Sequence, residues 1–401
     1  MRTRTLTALA LGYAVLAMGC RLGRSSADAP SISKVVLTNG TEVSRAEGTT
    51  DGALWAAIRP DHAWNRDLVV LLHGAVSSRE PLSLDPPLHW FFKPFQDTLL
   101  ARGYGVAFSS YRVNGDAARV GALDSRSAED RFAEAFGRPR RTFLVGWSLG
   151  HMVGSLMVRR FPDRYAGFLA VCGALAGGSL VDQRSIDARV LFDYFFPGAI
   201  ATPVLETDMD FANEVLPAVV AAVTANPSAA IKLASIDQAY IRFNDPEELV
   251  GAIAGSLLVT SDAAQTRQTG VPFDNTRQVY TSAAMSAAEL EALNAGVQRV
   301  RGDPSTLKTV KADDPDGSLP TRMLSLTTSR DMIVPPDLHV PLFKELVNAR
   351  GSGENWLQRT VDGFGHCEFG FDAAPDPFFG VLVTAFDDLT TWATTGVKPS
   401  P

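Results

Sequence analysis

Phe143-Leu144-Val145-Gly146-Trp147-Ser148-Leu149-Gly150-His151-Met152-Val153 is the stretch that decides the fold. An apolar run leads into G-x-S-x-G, and helix-favouring residues at Leu149, Met152, Val153, Leu156 and Met157 lead out of it. The pattern predicts a strand, a sharp turn and a helix. The two glycines let strand and helix approach closely enough to hold Ser148 in a strained, protruding conformation. A hydroxyl held in that way is open to a substrate, and the backbone N–H of Leu149 points at the same spot.

Working outward, Asp67-Leu68-Val69-Val70-Leu71-Leu72 is a continuous apolar run, the mark of a strand buried on both faces of a parallel sheet, and it ends in His73-Gly74-Ala75. Short leading strands are expected at residues 35–37 and 53–58, and further strands at 105–109 and 165–171, the last ending at Cys172-Gly173. Helices are expected at 90–102 and at 124–136, the latter with Ser125 or Ser127 as its cap. From about residue 177 to 318 the chain turns Ala-rich and helical, with aromatic clusters such as Phe192, Tyr194, Phe195 and Phe196. Strands return at 323–326 and 356–361, with helices near 341–348 and 378–393. Strand–helix alternation with buried apolar strands means an α/β fold with a mostly parallel central sheet flanked by helices. Residues 31–176 and 319–401 form its core, and 177–318 read as an inserted, largely helical cap.

At 401 residues, 46% apolar and 20% charged, the chain has an ordinary globular balance, which excludes both disorder and a multi-span membrane protein. Its net charge of −7 argues against a nucleic-acid partner. Arg138, Arg140 and Arg141, and the pair Arg159-Arg160, read as solvated helix and loop ends. The first twenty residues differ: Arg2 and Arg4 precede an apolar stretch over residues 6–18, which is too short to span a bilayer and reads as an export signal over residues 1–19. With Ala17-Met18-Gly19-Cys20, this segment resembles the lipobox of bacterial lipoproteins, which implies a lipidated Cys20 and a tether over residues 20–30. Ala17 departs from the leucine commoner there, and plain cleavage nearby is the alternative. The expectation is an exported protein, periplasmic or on the cell surface, that meets a membrane only through that anchor.

A serine hydroxyl is a poor nucleophile at neutral pH and needs a base, which in turn needs an orienting group. Asp331 follows the 323–326 strand in Ser329-Arg330-Asp331-Met332-Ile333-Val334-Pro335, and His366 follows the last strand in Gly363-Phe364-Gly365-His366-Cys367. Both lie at C-terminal strand ends, where ligands collect in open α/β sheets. Asp362 and Asp337 are rivals to Asp331. Of the other histidines, His151 is expected to pack behind the turn and His73 to serve a structural role, while His62, His89 and His339 lack site partners.

On these residues the chain resembles the α/β-hydrolases: the G-x-S-x-G elbow, an H-G after an earlier strand, D-x-x-V-P and a late G-H, in the order Ser, Asp, His. The resemblance covers residues 33–395 apart from the cap. It implies Ser148 as nucleophile, His366 as general base and acid, and Asp331 as its orienter. The oxyanion hole would be the N–H groups of Leu149 and Ala75, with Gly74 as the alternative to Ala75. His366-Cys367 also resembles the tannase and feruloyl-esterase family, in which the cysteine after the histidine bonds one just before the nucleophile. Trp147 stands at that place here, so the expected bridge is Cys172 to Cys367, against the alternative of two separate buried thiols. Trp147 itself has two readings, a substrate-binding wall or a buried core side chain. The same tryptophan precedes the serine in some aromatic-polyester hydrolases, which this elbow resembles.

The reading is therefore an exported serine hydrolase that cleaves a small or polymeric carboxylic ester through an acyl-enzyme, with neither metal nor organic cofactor. A secreted peptidase of the same fold is the runner-up, and a non-catalytic binding protein is a third possibility.

Overall fold

Nine strands form one sheet in the order β1-β2-β3-β5-β4-β6-β7-β8-β9 in a computed structural model that describes residues 31–85, 89–204, 210–259, 270–366 and 377–400. The strands are β1 (Ile32–Val36), β2 (Glu42–Thr50), β3 (Ala53–Pro60), β4 (Asp67–Leu72), β5 (Gly105–Ser109), β6 (Arg141–Trp147), β7 (Gly167–Val171), β8 (Arg322–Arg330) and β9 (Trp356–Phe364). The first three pair antiparallel, and β5 through β9 run parallel with β4 in their midst. The expected α/β architecture is present.

Every residue of β4 is buried, because both faces of the sheet are covered. Val69 and Leu71 turn to one side, against α1 (His89–Ala101) and the last helix α11 (Pro377–Thr395), through Phe95, Leu99, Phe386 and Leu389. Leu68, Val70 and Leu72 turn to the other, against α2 (Ala118–Phe136), α3 (Leu149–Arg160) and α10 (Pro336–Ala349), through Phe132, Val153, Met157 and Phe343. A strand covered on both faces has no polar side to alternate with, so its sequence reads as one apolar run.

Between β7 and β8 the described residues add no strand to the sheet. They fold as α4 (Gly178–Phe195), α5 (Leu216–Ala225), α6 (Pro227–Ala234), α7 (Pro246–Leu257), α8 (Ala287–Gly296) and α9 (Pro304–Asp313). Their apolar side chains, among them Phe192, Val219, Leu233, Ile253 and Leu293, gather in a cluster of their own. Tyr194 and Phe195 pack on its edge.

One strand carried no signal in the sequence, and one helix boundary is corrected. Strand β2 was not legible, since its sequence EVSRAEGTT carries one large aliphatic side chain; its place comes from antiparallel pairing with β1 and β3 on either side. Helix α2 begins at Ala118, with no side-chain cap, rather than near Ser125. The polar Asp124-Ser125 pair looked like a helix start but lies buried inside the helix, where the Asp124 carboxylate is taken by the Arg112 guanidinium.

Candidate active site

Leu72 of β4 lies beside Gly146 of β6, so the segments leaving those two strands, His73-Gly74-Ala75 and the Ser148 turn, emerge side by side at the C-terminal edge of the sheet. Ser148 sits between β6 and α3 with φ +52° and ψ −115°, a backbone region an L-residue rarely adopts. Its N–H donates to the Val171 carbonyl at 2.9 Å, which continues the ladder to β7 and fixes the turn. Glycine is required on both sides. A Cβ on Gly150 would fall well inside contact distance of the Leu72 carbonyl, and one on Gly146 would meet the Gly150 carbonyl.

Ser148, Leu149 and Ala75 line one cavity of about 90 Å³. Its walls are mostly apolar, with Met152, Val181, Ile333 and Val334 among them, and Asp116 and Asp182 supply carboxylates. Those two acids carried no signal in the sequence. The three residues expected to supply nucleophile and oxyanion hole thus border the same space.

The loop after β8 reaches that cavity through Ile333 and Val334 and carries Asp331 at its start. Asp331 is buried, and its Oδ1 accepts hydrogen bonds from the N–H groups of Ile333 and Val334, each at 2.8 Å. Its Oδ2 lies 2.7 Å from Nδ1 of His366, also buried. In a neutral ring that bond puts the proton on Nδ1 and leaves the lone pair on Nε2. His366 is held in turn by Gly365, whose N–H donates to the Arg330 carbonyl (3.2 Å) and whose carbonyl accepts from the Thr328 hydroxyl (2.5 Å). Gly365 has φ +124°, so this backbone path needs glycine.

The rival acids lie elsewhere. Asp362 has 88% of its side chain exposed and pairs with Arg330 and Ser329, which hold it below the usual carboxylate range. Asp337 pairs with Arg242 at 2.6 Å. His151 packs behind the turn, stacked on Phe168, with Nε2 3.1 Å from the Ser155 hydroxyl, and burial pushes it down to about 3. His339 is buried on α10, where Nδ1 accepts from the Ala176 N–H; burial, then the His151 and Arg184 charges, lower it to about 3. His62 is exposed, 3.4 Å from Glu42. Burial also lowers His73, whose ring stacks on Tyr111 at 3.8 Å and whose Nδ1 lies 2.7 Å from the Gly74 carbonyl.

Trp147 is a correction. Its side chain is 4% exposed and sits in the core against Phe92 and Phe95, on the α1 side of the sheet, so the ring fills space beneath the strand and does not form a substrate wall. Burial of so large an apolar surface decides the matter.

Cys172, directly after β7, takes φ +48°, donates its N–H to the Leu326 carbonyl at 2.8 Å and is disulfide-bonded. Cys367, its expected partner, and Cys20, with the whole signal and tether, lie outside the described residues. Among the described residues, no three His, Cys, Asp or Glu side chains are disposed to hold a metal ion.

No family model matches the chain, and no curated protein matches it. Among solved structures it is similar to feruloyl esterase B from Aspergillus oryzae, with a TM-score of 0.50 and 12% identity over 92% of this chain and 86% of that one. It is also similar to Candida antarctica lipase A, at 0.49 and 14% over 92% and 82%. Est1E from Butyrivibrio proteoclasticus follows at 0.41 and 12% over 88% and 99%. The first of these shows that the fold is that of the α/β-hydrolases.

Proposed function

We propose that this chain of α/β-hydrolase fold is a serine hydrolase of carboxylic esters. The observation that carries the reading is the buried Asp331–His366 pair at 2.7 Å, in which Asp331 begins the loop whose Ile333 and Val334 line a cavity with the strained Ser148. In the proposed cycle the Ser148 oxygen attacks the ester carbonyl carbon while its proton passes to Nε2 of His366. The oxyanion that forms accepts hydrogen bonds from the N–H groups of Leu149 and Ala75, whose charge complement matters only in the transition state, at about 3–4 kcal/mol for each donor. His366 then protonates the departing alcohol, leaving Ser148 acylated. Water, deprotonated by the same imidazole, releases the acid. Asp331 keeps the ring in the productive tautomer and offsets the imidazolium charge.

Three further elements belong to the proposal. The helical block 177–318 acts as a cap that limits water at the cavity. Cys367 bonds Cys172, tying the His366 loop to the end of β7; two free thiols per mature chain after alkylation without reductant would refute this. The chain is exported and anchored through Cys20, so a form lacking residues 2–19 keeps activity and loses membrane association.

A fluorophosphonate probe tests the core of the reading. Labelling of wild type that disappears in Ser148→Ala supports it, and an unlabelled folded wild type contradicts it. A comparison of p-nitrophenyl esters with aminoacyl anilides then separates an esterase from a peptidase.

A further inference from the structure

Arg184 lies on α4, three residues beyond Val181 of the cavity wall, yet it is 2% exposed. Its Nε donates to the Ala239 carbonyl at 2.9 Å, and its Nη1 donates to the Met332 carbonyl at 2.7 Å. Ala239 belongs to the helical block; Met332 is the residue after Asp331. One guanidinium therefore clasps the block and the acid's loop together.

The charge on that group needs an answer. Among the described residues Arg184 has no carboxylate within ion-pair distance, and its Nη2 has no hydrogen-bond partner. The charged and titratable groups that face it are Asp331 on the loop after β8, Asp337 and His339 on α10, and Arg242 ahead of α7. Asp337 is already paired with Arg242, and His339 is neutral at ordinary pH. Burial lowers Arg184 only to about 10, so it stays a cation. Asp331 is the carboxylate left to balance it.

We propose that Arg184 is a positioning residue for the reaction: it clamps the acid's loop through Met332 and sets a buried positive charge opposite Asp331. The inference rests on the proposed triad. Deleting a buried cation that faces Asp331 changes the charge the pair meets when the imidazole takes a proton, so the role of Arg184 can be read in the acid limb of the pH profile. Arginine suits both tasks, since its planar fork reaches two carbonyls and never deprotonates, whereas lysine offers the charge without the fork.

The test is the pH profile of kcat/KM for p-nitrophenyl butyrate, with thermal melts, in wild type, Arg184→Gln and Arg184→Lys. Arg184→Gln is expected to lower kcat at least tenfold with little change in KM, and to move the acid limb upward by roughly half to one pH unit. Arg184→Lys is expected to keep the wild-type acid limb while losing part of kcat. An unmoved acid limb in Arg184→Gln, or one shifted in Arg184→Lys as far as charge removal predicts, overturns the proposal and leaves Arg184 a fold residue only. Should Arg184→Gln not fold, the Lys variant alone decides on the same criterion. Wild-type protein inert to both ester and fluorophosphonate defeats the proposed triad, and this inference with it, and that outcome is distinct from an active enzyme with an indifferent Arg184.

Discussion

Nδ1 of His366 and Oδ2 of Asp331 stand 2.7 Å apart, with both side chains withdrawn from solvent, while the second oxygen of Asp331 is occupied by two backbone N–H groups. Both oxygens of the carboxylate are thereby engaged. Asp331→Asn keeps the shape and the backbone bonds but presents an amide N–H to Nδ1, which forces the proton onto Nε2. The expected result is a folded protein with kcat lowered by up to about 10⁴. Asp362→Asn, at an exposed surface pair, should stay within about twofold of wild type. Steady-state kinetics on p-nitrophenyl acetate, beside melting curves, check both.

Trp147 is the substitution that separates packing from recognition. Trp147→Ala removes a buried ring that touches Phe92 and Phe95 and should cost about 3–5 kcal/mol of stability. Trp147→Phe should fold and leave KM near wild type across a series of acyl and aryl esters. A KM that rose selectively for aromatic esters would return the ring to the substrate site.

Two glycines give opposite expectations from the same argument. Gly150→Ala drives a Cβ into the Leu72 carbonyl, displaces the turn that holds Ser148 and should cost about 1–3 kcal/mol along with most of the activity. Gly380→Ala, in α11 with open space around the new methyl, should gain about 0.5–1 kcal/mol with activity unchanged. Denaturant midpoints measured side by side provide the comparison.

Asp187 gives a pH dependence of stability. It is buried on α4, accepts from the Tyr280 hydroxyl at 2.8 Å and from Gln183, and burial pushes it up from 3.8 to about 6. Between those two values the folded chain binds more protons than the unfolded one. This group's contribution to stability therefore falls as pH rises through that window, and is constant above it. Asp187→Asn removes the penalty of a buried charge, so the variant should melt above wild type near neutrality, by at most about 3 kcal/mol, with the gap closing as pH falls towards 4. Melting temperatures across that range are the check.

Much of this molecule could be read from the chain because its informative residues sit where sheet geometry leaves few choices. Ser148, Asp331 and His366 each end a strand or follow one closely, and the apolar runs of β4 and β6 announce burial on both faces. What escaped has a common cause in tertiary context. Strand β2 lacks an apolar rhythm because its neighbours, not its own side chains, define it. Asp124-Ser125 imitates a helix start, and only the Arg112 ion pair explains why those polar residues lie inside α2. Trp147 adjoins the nucleophile in sequence yet points through the sheet, since successive strand residues face opposite sides. Arg184 shares its helix with Arg189, and nothing local marks it as buried or says that its fork ends on the carbonyl of Met332.

The central claim is that Ser148 takes the acyl group with His366 as its base. Rapid mixing with p-nitrophenyl acetate followed by acid quench and peptide mass mapping tests it most directly. The account predicts a burst approaching one nitrophenolate per chain, with the acetyl group on the peptide that contains Ser148, and neither burst nor acetyl in Ser148→Ala or His366→Gln. Acetylation at another residue, or an undiminished burst in Ser148→Ala, would contradict it.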